Sequence, residues 1–451
     1  MLKKQLLAEK DQKRKTDLKK LIKPAIFFLS TAIAIFICAI CLNFLYTLVF
    51  PDKKNDVKVQ KEGVRFETDE NTDSPRFADI EIKQILERQT LLNSTEKSFV
   101  VNFKNETYTI VTTLNIPLQK FLIKKLDQLK KHTRGKPQRI AMVVMEPYSG
   151  KILALTGFDL LDPDSNPCFS GDFPAASIFK IITASAAVEE LGFTPNTPLY
   201  FNGSKYTLYK NQLNNTKNKY TCEISFANAF SESVNPVFGK IGRNRLGNTI
   251  LEEYVERFDF NKDIDSEIVF EPSILDVSEN PYKWAEIGCG FNNTTTISPI
   301  FGAMISGTII NDGKRIVPSI IEKIVDSQND IIYDKQNELS SNVVSKETAL
   351  IVQTLMQQTI ETGTARGAFR GYNKDKILSK LVIGGKTGSI YNRKHTIKYD
   401  WFTGFAKTKD TKTDENNNKI ALSIVVGHGD YIGTRACNYG KMIIKEYYKN
   451  I

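Results

Sequence analysis

The sequence predicts an α+β fold: an antiparallel sheet of about five strands with helices on both faces, preceded by a small spacer module and one transmembrane helix. Three observations predict it. Apolar runs with strand character fall in two groups, one at 140–155 and one at 381–427. Between them, from about 175 to 312 and again at 345–361, apolar residues recur mostly at helical spacing. Residues 24–51 carry no charged side chain at all. Strands early and late with helices between them make one sheet built from both ends of a domain, its faces covered by helices.

The elements follow in order. Residues 1–23 hold nine Lys or Arg and three acids, a basic tail of +6, whereas everything from Asp52 on carries 52 basic and 48 acidic residues. The excess positive charge of this 451-residue chain thus sits mostly in the tail, which argues against a nucleic-acid partner, since that would need a basic stripe on the folded part. Residues 24–51 are rich in Ile, Leu, Phe, Val and Ala, and about 20 such residues cross a ~30 Å hydrocarbon layer. The Lys-rich flank predicts a cytoplasmic N-terminus, with the rest outside. A cleaved signal peptide fits less well, because the apolar run is too long and no small-residue cleavage site follows. Residues 52–136 read as a spacer module with strand-like pieces at 99–103 and 107–112. A linker helix follows, started by Asn115 and Pro117, with Leu118, Leu122, Leu126 and Leu129 on one face.

The main domain is expected over 137–451. A β-hairpin is predicted from 140–145 and 151–155 around Glu146-Pro147-Tyr148-Ser149-Gly150. Helices follow at 177–191 (closed by Gly192), 225–232, 237–241, 250–258, 299–310 and 345–361. Strands return at 381–385, 401–406 and 420–427, and a helix at 435–449 ends the chain.

Histidine and cysteine chemistry finds little support. His132, His395 and His428 lie far apart, so neither a His-built metal site nor a Ser-His-Asp triad has a recognisable setting. Cys168 and Cys222 each lie shortly before a candidate site segment; a disulfide between them and two free buried thiols are the two options.

Three short patterns carry chemistry. Ser177-Ile178-Phe179-Lys180 opens a helix, so hydroxyl and amine share a face one turn apart, and apolar flanks favour the neutral amine that can act as a base. An N-cap serine is the plainer reading, and Ser94–Lys97 matches the pattern too. Ser233-Val234-Asn235 stands between two helices, although Ser278–Asn280, Ser327–Asn329 and Ser340–Asn342 share its spacing. Lys386-Thr387-Gly388-Ser389 ends a predicted strand, where a cation and hydroxyls beside a strand edge suit an extended peptide ending in a carboxylate. A strand-end turn is the alternative for that segment alone.

The ordered set changes the weighing. Ser-x-x-Lys, then Ser-x-Asn 56 residues on, then Lys-Thr-Gly 153 residues after that, resembles the transpeptidase domain of penicillin-binding proteins, in its monofunctional, class B-like, membrane-anchored form. The resemblance runs over about 110–451 and includes YTIVTTLNIPLQKFL (108–122), MEPYSGKILALTG (145–157), IGCGFNNTTTISPIFGAMISGTIINDGK (287–314), ETGTARGAF (361–369), GGKTGS (384–389) and DWFTGFA (400–406). It implies the penicillin-binding protein/serine β-lactamase-like fold and a peptidoglycan D,D-transpeptidase. Ser177 would be acylated by a D-Ala-D-Ala stem peptide, and Lys180 would take its proton. Ser233 would relay a proton to the leaving D-Ala, held by Lys180 and Lys386. Asn235 would orient the substrate amide. Lys386, Thr387 and Ser389 would receive the terminal carboxylate beside Gly388. The backbone N–H groups of Ser177 and Ser389 would form the oxyanion hole. Lys386 would add a like charge that depresses Lys180 further.

The resemblance also implies acylation by β-lactams, an amine acceptor, no cofactor and no metal. A separate membrane glycosyltransferase would supply glycan, since 52–110 is too short for such a domain. The catalytic domain would lie in the periplasm, anchored in the cytoplasmic membrane. A D,D-carboxypeptidase or endopeptidase using the same site and a catalytically idle cell-wall scaffold are the other readings; a β-lactamase or β-lactam sensor fits the long 233–386 interval poorly. Two departures from the family pattern stand out: Ala175-Ala176 where Pro-Gly is usual, and Ser389 where Thr is usual.

Overall fold

The computed structural model describes residues 79–87, 91–334, 341–409 and 419–450, all within one compact unit, Asp73–Ile451. The expected basic tail and membrane helix, 1–51, lie outside the described residues, as do residues 52–78. Among the described residues no helix is long and apolar enough to cross a membrane.

The centre is a five-stranded antiparallel sheet in the order Leu381–Tyr391, Lys398–Thr408, Lys419–His428, Pro137–Met145, Ile152–Asp159. The late strands and the early hairpin thus meet in one sheet, the hairpin entering as its last two strands. Side chains alternate faces along each strand. Ile140, Met142 and Val144 join a core with Leu118, Leu122, Leu126 and Leu129 of the Ile116–Lys130 helix and with Ile443 and Ile444 of the Ala436–Tyr447 helix. Ala141, Val143 and Met145 face the opposite core, shared with the helices Pro299–Ile310, Lys346–Glu361 and Lys180–Leu191. All twelve residues of Pro299–Ile310 are buried, as expected of a helix that is apolar on every side.

Local signals set the helix ends. The Asn115 side chain accepts the Leu118 N–H at 3.1 Å, with Pro117 in the first turn. Gly192, at φ +63°, closes Lys180–Leu191, and Ser225, Ser298 and Ser345 cap their helices. The buried Gln119 exchanges two hydrogen bonds with the Leu155 backbone, at 2.9 and 3.0 Å, and so ties the linker helix to the outer edge strand.

Three features differ from the sequence reading. The strand carrying Lys386 does not end there: it pairs with Lys398–Thr408 without interruption as far as Tyr391, so Lys-Thr-Gly sits inside an edge strand. Strands Ser98–Phe103 and Glu106–Thr112 join Ile321–Val325 and Ile331–Asp334 in a second, four-stranded sheet. Finally, Pro281–Cys289 is a helix, capped by Asn280. The rival Ser-x-Asn at 278–280 is therefore a helix cap, Asn329 at φ +67° lies in the turn between Ile321–Val325 and Ile331–Asp334, and Ser340 lies outside the described residues. Lys97 of the rival Ser-x-x-Lys pairs with Glu322 at the surface.

Candidate active site

Ser177 lies in a 3-10 turn, Ala176–Phe179, that leads directly into the Lys180–Leu191 helix. The entry is strained: Ala176 stands at φ +49°, where a side chain with Cβ costs ~1 kcal/mol or more. Lys180 is fully buried, and its Nζ lies 2.8 Å from Ser177 Oγ, 2.8 Å from Asn235 Oδ1 and 2.5 Å from the Cys289 carbonyl oxygen. Gly290 makes the last contact attainable. It sits at φ +68°, and a Cβ there would fall 1.9 Å from the Ala176 carbonyl oxygen, so only glycine lets the end of Pro281–Cys289 come this close to the serine turn.

Burial pushes Lys180 down to about 8, with the Cys289 thiol acting weakly in the other direction. Lys386, also fully buried, donates to Ser233 Oγ at 3.0 Å and to the Thr387 carbonyl at 2.9 Å, and it is pushed well below the usual lysine range by burial and by the charge of Lys180. Burial is the main cause for both amines, and the charge that each lysine presents to the other disfavours their being charged together.

Ser233 occupies the loop between Phe226–Ser231 and Asn235–Ile241 at φ +59°, a strained placement for a non-glycine residue. Pro236 opens the second helix, and Asn235 is held at both ends of its amide, Oδ1 by Lys180 and Nδ2 by the Tyr206 carbonyl at 3.1 Å. Ser177, Ser233, Asn235, Thr387, Gly388 and Ser389 line one cavity of about 790 Å³, and the buried Lys180 and Lys386 lie behind its wall, each in contact with one of the two serines.

Two contributors were not assigned from sequence. Thr364 Oγ1 lies 2.6 Å from Thr387 Oγ1. The Cys289 carbonyl holds Lys180, a backbone role that side-chain patterns do not announce. Among the described residues no cluster of three metal-ligating side chains occurs.

The four described cysteines are all unpaired. Cys168 is buried, its thiol 3.5 Å from the Thr156 carbonyl and pushed up to about 12, whereas Cys222 is exposed. The disulfide option is not realised, and only one of the two thiols is buried.

Chemically, a hydroxyl beside a buried amine that loses its proton readily can be deprotonated and acylated. A second hydroxyl beside a second depressed lysine can pass a proton across the same cavity.

Comparison with known proteins gives one consistent family. The profile described as penicillin binding protein transpeptidase domain matches residues 140–434. Curated relatives include penicillin-binding protein 1A of Neisseria lactamica, 27% identical over 280 residues (59% of this chain and 30% of that protein). Others are the peptidoglycan D,D-transpeptidase FtsI homolog of Mesostigma viride, 25% identical over 72% of this chain and 58% of its own length, and the peptidoglycan D,D-transpeptidase PbpA of Mycolicibacterium smegmatis, 23% identical over 65% and 62%. The chain therefore spans less than two thirds of each of these relatives. Among solved structures, penicillin-binding protein A of M. tuberculosis as an imipenem acyl-enzyme complex aligns with a TM-score of 0.59 at 21% identity, covering 75% of this chain and 79% of that one. Penicillin-binding protein 3 of M. tuberculosis aligns at 0.61 and 17%, covering 75% and 79%.

Proposed function

The chain belongs to the penicillin-binding protein transpeptidase family, and on that premise we propose that it is a serine-type peptidoglycan D,D-transpeptidase. One observation carries the reading: Lys180 Nζ stands 2.8 Å from Ser177 Oγ, with the Ser233–Lys386 pair on the same cavity. Neutral Lys180 takes the Ser177 proton, and Oγ attacks the carbonyl carbon of the penultimate D-Ala. The backbone N–H groups of Ser177 and Ser389 receive the oxyanion. Collapse breaks the C–N bond, and the departing D-Ala amine takes its proton from Ser233, which is resupplied through the lysines. Lys386, Thr387 and Ser389 hold the terminal carboxylate, whose arrival favours the charged form of Lys386. Asn235 orients the substrate amide. An acceptor amine then attacks the acyl-enzyme, frees Ser177 and completes the cross-link.

β-Lactams acylate the same oxygen. Residues 24–51 anchor the enzyme in the cytoplasmic membrane with the N-terminus inside and the catalytic domain in the periplasm, and a separate membrane glycosyltransferase supplies the glycan. The test is conversion of polymerised glycan bearing pentapeptide stems by the full chain in detergent. Cross-linked dimers, lost in Ser177→Ala, support the proposal. Tetrapeptide monomers alone would identify a carboxypeptidase, and no turnover by a folded, penicillin-reactive chain would overturn both.

A further inference from the structure

A second cavity, of about 380 Å³, opens beside the end of the Asn235–Ile241 helix and shares no lining residue with the catalytic one. Part of its wall is apolar, from Leu199, Val237 and Ile241. Its charged groups are Lys217, Lys240 and Arg245, and no acidic side chain lines it. From Asp52 on, basic and acidic residues are nearly balanced along the chain, so an all-cationic cavity is a local departure from the composition.

The cations are positioned without carboxylates. Lys240 Nζ donates to the Tyr200 carbonyl at 3.1 Å, and the Lys217 ammonium stands 3.3 Å from the Tyr200 ring centroid. Burial lowers Lys240 below the ordinary lysine range, with no acid to offset it. An ammonium has three donors, so two remain for a ligand, and an anion in the cavity would relieve the cost of the half-dehydrated charge. Arg245 and Asn244 belong to Gly242–Leu246, a π-helical turn of the kind that concentrates at functional sites. Gly242 pins that turn to the Pro281–Cys289 helix, since a Cβ there would fall 2.4 Å from the Trp284 carbonyl oxygen. Asn244 donates to the Leu213 carbonyl at 3.0 Å and so ties the turn to the loop that supplies Lys217. Glu223 stands opposite Tyr200 where the strands Pro198–Phe201 and Cys222–Ser225 pair, but it is exposed and does not line the cavity. A concave site with three cations and no acid attracts negative charge.

We propose that this cavity binds a phosphate monoester, its oxygens held by Lys217, Lys240 and Arg245. A monoester carries about −1.5 to −2 charge near pH 7 and presents three acceptor oxygens, the charge and the geometry that three convergent cations accommodate. The Arg245 fork engages two oxygens together, and each lysine acts as a point charge. The apolar wall receives the carbon skeleton that bears the ester. A singly charged carboxylate or phosphodiester leaves most of the positive charge uncompensated. The site lies apart from Ser177, and the inference does not depend on the transpeptidase reading.

The experiment is calorimetric titration of the full chain in neutral detergent, at pH 7.5 and low salt, with glycerol 3-phosphate, the diester glycerophosphoglycerol and succinate. The expected Kd for the monoester is roughly 0.1–1 mM, about tenfold tighter than for the diester or the dicarboxylate, and it weakens as salt is raised. Lys240→Gln with Arg245→Gln should raise that Kd by about tenfold or more, and the exposed Lys217→Gln alone by about threefold. Lys120→Gln with Lys124→Gln, two exposed changes on the linker helix that remove the same net charge, should leave it unchanged. Labelling of each variant by benzylpenicillin at the wild-type rate reports an intact fold. Dihexanoyl phosphatidic acid separates the two sources of such an ester: a clear gain over glycerol 3-phosphate assigns a lipid headgroup, equal affinity a soluble ester, and either supports the proposal. No binding of the monoester, equal binding of diester or succinate, or a Kd that the cavity variants leave unchanged would overturn it.

Discussion

The pH dependence of Ser177 acylation follows from the burial of Lys180. At its ordinary value of 10.5 a lysine would be neutral in only ~0.03% of molecules at pH 7; lowered to about 8, it is neutral in about one tenth, roughly a 300-fold gain in available base. The sign is set by what the reaction needs. Acylation requires the uncharged amine, so the rate constant for benzylpenicillin should climb about tenfold per pH unit from 6 toward 8 and level off above it. Stability moves the same way: a lysine lowered on folding costs free energy while both states are charged, below about pH 8, and that cost fades as pH rises from 8 toward 10.5. Lys180→Arg cannot lose its proton, so acylation should drop by ~10²–10⁴ at every pH and lose the sigmoid. Stopped-flow acylation with a fluorescent penicillin between pH 5.5 and 9.5 reads both. A flat wild-type profile, or an arginine variant within a few fold of wild type, would refute the reasoning.

Three further outcomes follow from the packing. Gly290→Ala places a Cβ 1.9 Å from the Ala176 carbonyl oxygen at φ +68°; by thermal unfolding and penicillin labelling, it should lose both stability and reactivity, and wild-type values for both would contradict the close-approach account. Ala176→Gly relieves φ +49° and should leave stability unchanged or raise it by up to ~1 kcal/mol, whereas Ala175→Gly, at φ −61°, should cost ~1 kcal/mol; the reverse order in urea melts would contradict the strain assignment. Of the four described cysteines, Cys222 alone is exposed and should react first with a thiol reagent under native conditions, so a fast phase that survives Cys222→Ser would be inconsistent with the structure.

How much of this was legible beforehand varies by residue. The central hairpin and late strands showed as apolar runs because strands covered on both faces have no polar side to interrupt them. Asn115, Gly192 and the cap serines announced helix ends because those roles are local. The strand beyond Gly385 was not legible: Lys386 and Gly388 are poor strand formers that interrupt the apolar run, and pairing with Lys398–Thr408 holds the segment extended. The second sheet was hidden because Glu106–Thr112 finds its partner Ile321–Val325 more than two hundred residues away. At the site, side-chain spacing pointed to the Ser177–Lys180 pair, and the family resemblance implied that Lys386 holds Ser233. Spacing could not show that Cys289 offers its carbonyl to Lys180, that Thr364 meets Thr387, or that Ala176 and Ser233 adopt left-handed backbone, since each depends on a tertiary contact.

The central claim is that the Ser177 oxygen becomes acylated because Lys180 beside it is uncharged when needed. Peptide mapping by mass spectrometry after brief exposure to benzylpenicillin at pH 8 tests it most directly. The account predicts one adduct of intact penicilloyl mass on the peptide containing Ser177, absent from a folded Lys180→Arg chain under the same exposure. An adduct on any other residue, or equal modification of Ser177 when position 180 is a permanently charged arginine, would contradict it.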